Sequence, residues 1–262
     1  ADKNKPESEN TFEEAVEKAS VIFLCIPTRA IKESAEKIGK VNSRAIVVSF
    51  SKGMTENGKT AAETLNETFV EKNKWAVVGG PMIAEDIYNS TGKVIAVVGS
   101  LDNQVGETVA NIFKTSGIDV VSNYNPFAVS FLGILKNIYA FGVGILIGRG
   151  LSAQQKESFI KKAVSEMGIF CASMKFDPEI ALSPGGKDDL VETGYSSHSR
   201  NHQMGFELAT TGKIVTAGES LISAPQLIKR FPKIIGEMKI LSSLIEIMEG
   251  KLEAEAIIPK IK

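Results

Sequence analysis

The sequence is poor in the residues on which several protein classes depend. Cysteine occurs only as Cys25 and Cys171 in 262 residues. That is too few for a disulfide framework, and a reducing, cytoplasmic setting is the default expectation. Histidine also occurs twice. His198 and His202 have a spacing that would put two imidazoles on one helical face, yet no third ligand accompanies them, so a zinc site is the weaker reading. Neither sign of charge dominates: 30 basic residues face 31 acidic ones for a net charge of −1. Nucleic acid and anionic membrane surfaces are therefore not expected partners. No uncharged apolar run approaches the roughly 20 residues of a membrane helix. The most apolar stretch, residues 138–147, is half that length and follows Lys136, so no membrane insertion is expected. No signal peptide is expected from the polar first ten residues, and the sequence opens without an initiator Met. The chain opens Ala1-Asp2-Lys3-Asn4 and is expected to be processed or partial.

What is present is an alternation of short apolar runs with amphipathic segments. Residues 21–26 (VIFLCI), ended by Pro27, read as a strand buried on both faces, and Cys25 within it as a core thiol. Residues 45–50, 75–78, 93–98 and 118–121 read as four more strands, and residues 29–40 and 60–72 as intervening helices. Such alternation predicts an α/β fold with a mainly parallel sheet. After the turn-rich Ser122-Asn123-Tyr124-Asn125-Pro126, the segments 127–148, 154–174, 220–231 and 234–250 all read as helices, with Cys171 as a second core thiol. Loops are expected at Gly185-Gly186 and over residues 193–199. The boundaries expected are an α/β domain over 1–125 and an all-helical domain over 126–262.

Three segments place Gly, Pro or small polar residues directly after an expected strand: Pro27-Thr28-Arg29, Ser51-Lys52-Gly53-Met54 and Gly80-Pro81-Met82-Ile83-Ala84. Ligands of parallel sheets bind at the carboxyl ends of the strands, where Gly-bearing loops let backbone N–H groups approach an anion. Lys52 is then either a cation at the mouth of the sheet or a solvated surface residue. Lys136 lies in an otherwise apolar helix. It is either desolvated, with a lowered pKa suited to proton transfer, or carried to the surface on its methylene stem. The cluster Asp188-Asp189, Thr193 and Ser199-Arg200-Asn201 could orient a phosphorylated polyol, with Arg suited to bidentate phosphate contact; alternatively Asp188 or Ser199 simply caps a helix.

In this order, Ser51-Lys52-Gly53-Met54, Gly80-Pro81-Met82-Ile83-Ala84-Glu85, Leu135-Lys136-Asn137-Ile138, Gly186-Lys187-Asp188-Asp189-Leu190 and Ser199-Arg200-Asn201 resemble the NAD(P)-dependent glycerol-3-phosphate dehydrogenase family. The resemblance runs from about Val21 to Gly212, more weakly beyond. It implies a Rossmann-type sheet domain followed by a helical substrate domain, a homodimer, NAD or NADP as cofactor, and a small phosphorylated substrate. It also implies roles. Lys136 would be the general acid/base, with Asp189 and Lys52 as further catalytic groups. Lys52, Gly80, Thr193, Ser199, Arg200 and Asn201 would join Lys136 and Asp189 around the substrate, and Pro27, Lys52, Ala84 and Arg200 would meet the cofactor. Nothing before Val21 matches the Gly-rich turn that seats a pyrophosphate, so about two βα units, roughly 60–80 residues, are expected to be missing. Met82, Ser183-Pro184 and Asp188 depart from the family pattern. The usual Val-Val-Glu-Gly cofactor contact appears only as Val215-Thr216-Ala217-Gly218, leaving its carboxylate unassigned. Two alternatives remain open: a catalytically silent relative that binds a phosphorylated metabolite, and another hydroxyacid dehydrogenase of the same superfamily.

Overall fold

The apolar runs form one five-stranded sheet: β1 (Val21–Leu24), β2 (Ile46–Ser49), β3 (Trp75–Gly79), β4 (Ile95–Gly99) and β5 (Asp119–Tyr124). The computed structural model describes residues 11–69, 74–89 and 94–261. The expected polar opening over 1–10, the Lys72 end of the second helix and the Lys93 start of the fourth strand lie outside them. Spatial order follows chain order, and every pairing is parallel except β3 with β4, so the sheet is mixed but mainly parallel.

Helices α1 (Phe12–Glu17), α2 (Ile31–Val41), α3 (Ala61–Thr68), α4 (Ala84–Asn89) and α5 (Asn103–Thr115) are interleaved with the strands. Val47, Trp75, Val77 and Val97 share one core cluster with residues of α2 and α3. Val48, Ala76, Val78, Ala96 and Val98 pack against Val105, Val109, Ala110 and Phe113 of α5 on the other face. Covering both faces buries every residue of β3 and β4, which is why those runs are continuously apolar. β1 differs from expectation. Among the described residues it pairs only with β2, and Phe23 is 38 % exposed. Cys25 lies just past the strand and is exposed rather than buried. The outer face of this edge strand is covered only in part, by Phe50 and Phe113 against Phe23. Helix α1 was not anticipated, although Thr11 and Glu14 form a capping box at its start.

Beyond β5 the chain is helical: α6 (Pro126–Gly148), α7 (Ala153–Ser173), α8 (Asp189–Tyr195), α9 (Arg200–Thr211), α10 (Glu219–Arg230), α11 (Pro232–Glu237) and α12 (Lys239–Met248). Asn125 starts α6 by accepting from the N–H groups of Phe127 and Ala128, with Pro126 in the first turn. At 23 residues, α6 is long and apolar enough to cross a membrane by length and composition, which corrects the shorter stretch read from sequence. It is instead the core helix, with 89 % of its most apolar window buried in the protein. Each Leu, Ile or Phe it buries contributes about 1.5–3 kcal/mol. Helix α9 crosses it at backbone contact: a Cβ on Gly144 would strike the His202 carbonyl, and one on Gly205 the Phe141 carbonyl.

Two further expectations are corrected. The continuous helix over 234–250 is broken at Met238 into α11 and α12, because Glu166 of α7 accepts from the N–H groups of Ile240 and Leu241 and so caps a new helix start. Gly185-Gly186 is not a loop but part of a π-helical turn, Pro184–Asp188, that runs directly into α8. Thr193 is therefore held on a helix instead of in the expected loop.

Candidate active site

Since β1, β2 and β3 run in one direction, the loops that follow them open on one edge of the sheet. The reversed β4 brings its first residue to that edge, where Ile95 N–H donates to the Pro81 carbonyl at 3.2 Å. Gly80 turns the chain there with φ of +93°, and a Cβ at this position would strike the Ile95 carbonyl oxygen. Only glycine suits this turn, which leaves the Gly80 carbonyl to accept from Lys52 Nζ at 2.8 Å. The loops after β1 and β2 are joined by Ser51 Oγ, which donates to the Ile26 carbonyl.

The helical half meets this edge with a buried ionic cluster. Asp189, at the start of α8, is 1 % exposed. Its Oδ2 accepts from Lys52 Nζ at 2.8 Å, and its Oδ1 pairs with Lys136 Nζ at 2.9 Å. Lys136 Nζ also donates to Thr193 Oγ1 at 2.6 Å, and Thr193 donates to Asp189 Oδ1 at 3.1 Å, one helical turn away. The two readings of Lys136 are thus decided: its ammonium does not reach the surface. Burial lowers its pKa from 10.5 to about 8; Asp189 opposes that shift and the Lys52 charge adds to it. For Asp189, burial alone would raise the pKa, but Lys136 and Lys52 together hold it below the usual carboxylate value. A neutral Lys136 would spend its two N–H bonds on Asp189 and Thr193, leaving its lone pair for an incoming hydroxyl proton.

The structure brings Lys52, Gly80, Lys136, Asp189 and Thr193 into direct contact. The other expected site residues make no hydrogen bond to this group. Pro27 is exposed after β1, and Ala84 is exposed at the start of α4. Ser199 caps α9 by accepting from His202 N–H, the capping role its sequence position allows. Arg200 is exposed in the first turn of α9. Asn201 Oδ1 accepts from the N–H and the hydroxyl of Ser220, which leaves its amide as donor. His198 precedes α9 and is exposed, whereas His202 is buried with Nδ1 2.6 Å from the Gly194 carbonyl. The two imidazoles therefore do not share a helical face, and among the described residues no group of three His, Cys, Asp or Glu is placed to hold a metal. Burial pushes the Cys171 thiol up to about 12, as for an inert core residue.

Two residues here escaped the sequence reading. Asn137 Nδ2 donates to the Lys52 carbonyl at 3.0 Å and so fixes the Lys52 loop to α6. Glu219 places Oε2 within 3.4 Å of Thr28 Oγ1, and its carboxylate fills the space beside Gly53. Burial raises its pKa. The residue directly after Val215-Thr216-Ala217-Gly218 thus carries a carboxylate beside the loops that follow β1 and β2. The only signal in the sequence was Glu219 itself, directly after Gly218.

Residues 5–120 match the family model described as NAD-dependent glycerol-3-phosphate dehydrogenase N-terminus, and residues 125–259 match the corresponding C-terminus. The chain is similar to glycerol-3-phosphate dehydrogenase [NAD(P)+] of Alcanivorax borkumensis, with 32 % identity over 215 residues, covering 81 % of this chain and 62 % of the relative. Similarity to the protein of the same name from Clostridium acetobutylicum is 31 % over 196 residues, covering 74 % and 59 %. The chain thus spans about three fifths of the length of these curated relatives. Among solved structures, a glycerol-3-phosphate dehydrogenase from Coxiella burnetii superposes with a TM-score of 0.84 at 20 % identity, covering 96 % of this chain and 79 % of that one. This likeness establishes a Rossmann-type fold with a helical C-terminal part.

Proposed function

The chain belongs to the NAD-dependent glycerol-3-phosphate dehydrogenase family, and from that premise we propose that it interconverts sn-glycerol 3-phosphate and dihydroxyacetone phosphate with NAD or NADP. The observation that carries this reading is the buried Lys136, its pKa lowered to about 8 and its amine held by Asp189 and Thr193. A lysine in that state exchanges protons near neutral pH. In oxidation Lys136 Nζ takes the proton of the C2 hydroxyl; in reduction it returns that proton to the developing alkoxide. Asp189 balances the charge that forms on Nζ, and Thr193 fixes its direction. The ammonium of Lys52 and the turn at Gly80 wall the substrate beside them. Ser199 shapes the start of α9, Arg200 takes the phosphate in bidentate fashion, and the Asn201 amide adds a donor.

The dinucleotide, when bound, supplies or accepts the hydride. Pro27, Lys52, Ala84 and Arg200 are assigned to it, and the donor set at the strand ends suits its nicotinamide side. Glu219, beside Thr28 and Gly53, adds a carboxylate acceptor for a hydroxyl or amide. Residues 1–125 are read as the C-terminal part of a dinucleotide-binding domain and 126–262 as the helical substrate-binding domain of a cytoplasmic homodimer.

The test is direct. The protein is supplied with dihydroxyacetone phosphate and NADH or NADPH, and absorbance is followed. Turnover with one of them is expected, and none with either at high protein concentration would end this reading. A second reading, a silent binder of a phosphorylated metabolite, draws on the altered cofactor-side loop, Val215-Thr216-Ala217-Gly218. Calorimetry separates the two, since dinucleotide binding counts against the silent binder.

A further inference from the structure

Gly133 lies on α6 one turn before Lys136, and its place in the site is defined by the side chain it lacks. A Cβ there would stand 3.1 Å from Cγ of Lys52, 3.3 Å from its Cβ and 3.6 Å from its Cδ. The Lys52 stem therefore runs directly along the bare surface of the helix. It has little freedom to retreat, because it is held at both ends. Asn137, one turn further along α6, donates to the Lys52 carbonyl, while Gly80 and Asp189 take the ammonium. Glycine inside a helix costs about 0.5–1 kcal/mol relative to alanine. Gly133 is not among the residues with positive φ, so the backbone gives no reason for it.

We propose that Gly133 is a positioning residue: by leaving α6 bare one turn before Lys136, it lets Lys52 lie against the helix and sets the two ammonium groups on opposite oxygens of Asp189. The charged groups that act on Lys136 are Asp189 from α8 and Lys52 from the loop after β2, with Thr193 as neutral partner. Displacing Lys52 removes the repelling cation and leaves the attracting carboxylate, so Lys136 then keeps its proton to higher pH. The consequence for catalysis rests on the function proposed above; the position itself does not.

The experiment uses the full chain with 13C-labelled lysine and follows the Lys136 Cε signal against pH by NMR, the signal being identified by its loss in Lys136→Met. Gly133→Ala and Lys52→Met should both raise the midpoint from its value near 8, Gly133→Ala by less. Gly133→Ala should also melt no lower than the unaltered chain, since alanine favours the helix. With Lys52→Met in place, adding Gly133→Ala should move the midpoint no further. An unchanged midpoint in Gly133→Ala overturns the proposal, as does an additional shift in the double variant. An unchanged midpoint in Lys52→Met overturns it by removing the coupling. A Gly133→Ala chain that unfolds overturns it in favour of a plain packing role. Shifts as expected in a chain without turnover would uphold the positioning role and sink the proposed activity alone.

Discussion

Among the described residues, the polar side chains buried in the sheet half are the hydroxyls of Thr28, Ser49, Thr60 and Thr64, whereas the helical half also buries Lys136, Glu166 and Asp189. The difference follows from how each half satisfies its backbone. A central strand gives its N–H and C=O groups to neighbouring strands and presents both faces to helices, so β2 to β4 are filled with Val, Ala and Ile, and chemistry is left to the loop tips. A helix satisfies its backbone internally. Side chains from separate helices can then meet inside the core and neutralise one another, as Lys136 of α6 does with Asp189 of α8. Glu166 of α7 likewise meets Tyr139 of α6 and the free N–H groups of α12. The candidate site forms where the two solutions touch, with Lys52 arriving from a loop tip and Lys136 from the core.

Four substitutions test this contrast. The largest effect is expected from Lys136→Ala, which should lower turnover by about 10²–10⁴-fold, the usual worth of general acid/base catalysis, in an absorbance assay. Melting should change little, because Asp189 keeps Lys52 at 2.8 Å. On the proposed function, oxidation by the unaltered chain should fall as pH drops below about 8, where Lys136 takes up a proton, and reduction should fall above it; a profile flat across this range would remove Lys136 from the proton step. Asp189→Ala leaves two ammonium groups without their buried partner and should cost about 3–5 kcal/mol in a denaturant titration. Because its pKa is held low in the folded chain, the stability Asp189 contributes is present above the ordinary carboxylate value and lost as pH falls through its folded one.

Glu166→Ala tests a buried ion outside the site. It strands the Tyr139 hydroxyl and two N–H groups of α12, at about 1–3 kcal/mol, read as a lower denaturation midpoint with substrate-side titration unchanged. The smallest effect is expected from Glu63→Ala. It removes the ion pair with Arg230 that joins the two halves, whose side chains are 19 % and 34 % exposed, worth about 1 kcal/mol or less, together with the acceptor for Thr60 N–H in the capping box of α3. A loss larger than that of Glu166→Ala would reverse the contrast and make the half-exposed bridge the stronger tie.

Much of this is legible in the sequence. The runs that became β3 and β4 are continuously apolar because both of their faces are covered, and Asn125-Pro126 announces the start of α6 through the chemistry of capping. Lys136 stood out as a charge within an apolar helix, but whether its amine stays inside depends on a carboxylate across the core and a hydroxyl on another helix. The edge position of β1, and with it the exposure of Phe23 and Cys25, depends on which strand lies beside it. The break at Met238 depends on Glu166, which arrives from a different helix.

The sequence by itself determined the order of strands and helices and the residue types available for chemistry, because periodicity, caps and turn residues act between near neighbours. The tertiary structure alone decided which of those residues share a site. Lys52 meets Asp189 across 137 positions, Asn137 reaches Lys52 across 85, and Glu219 reaches Thr28 across 191. The pKa of Lys136 belongs to that second set, since it is fixed by burial and by the charges of Asp189 and Lys52, which only folding brings beside it.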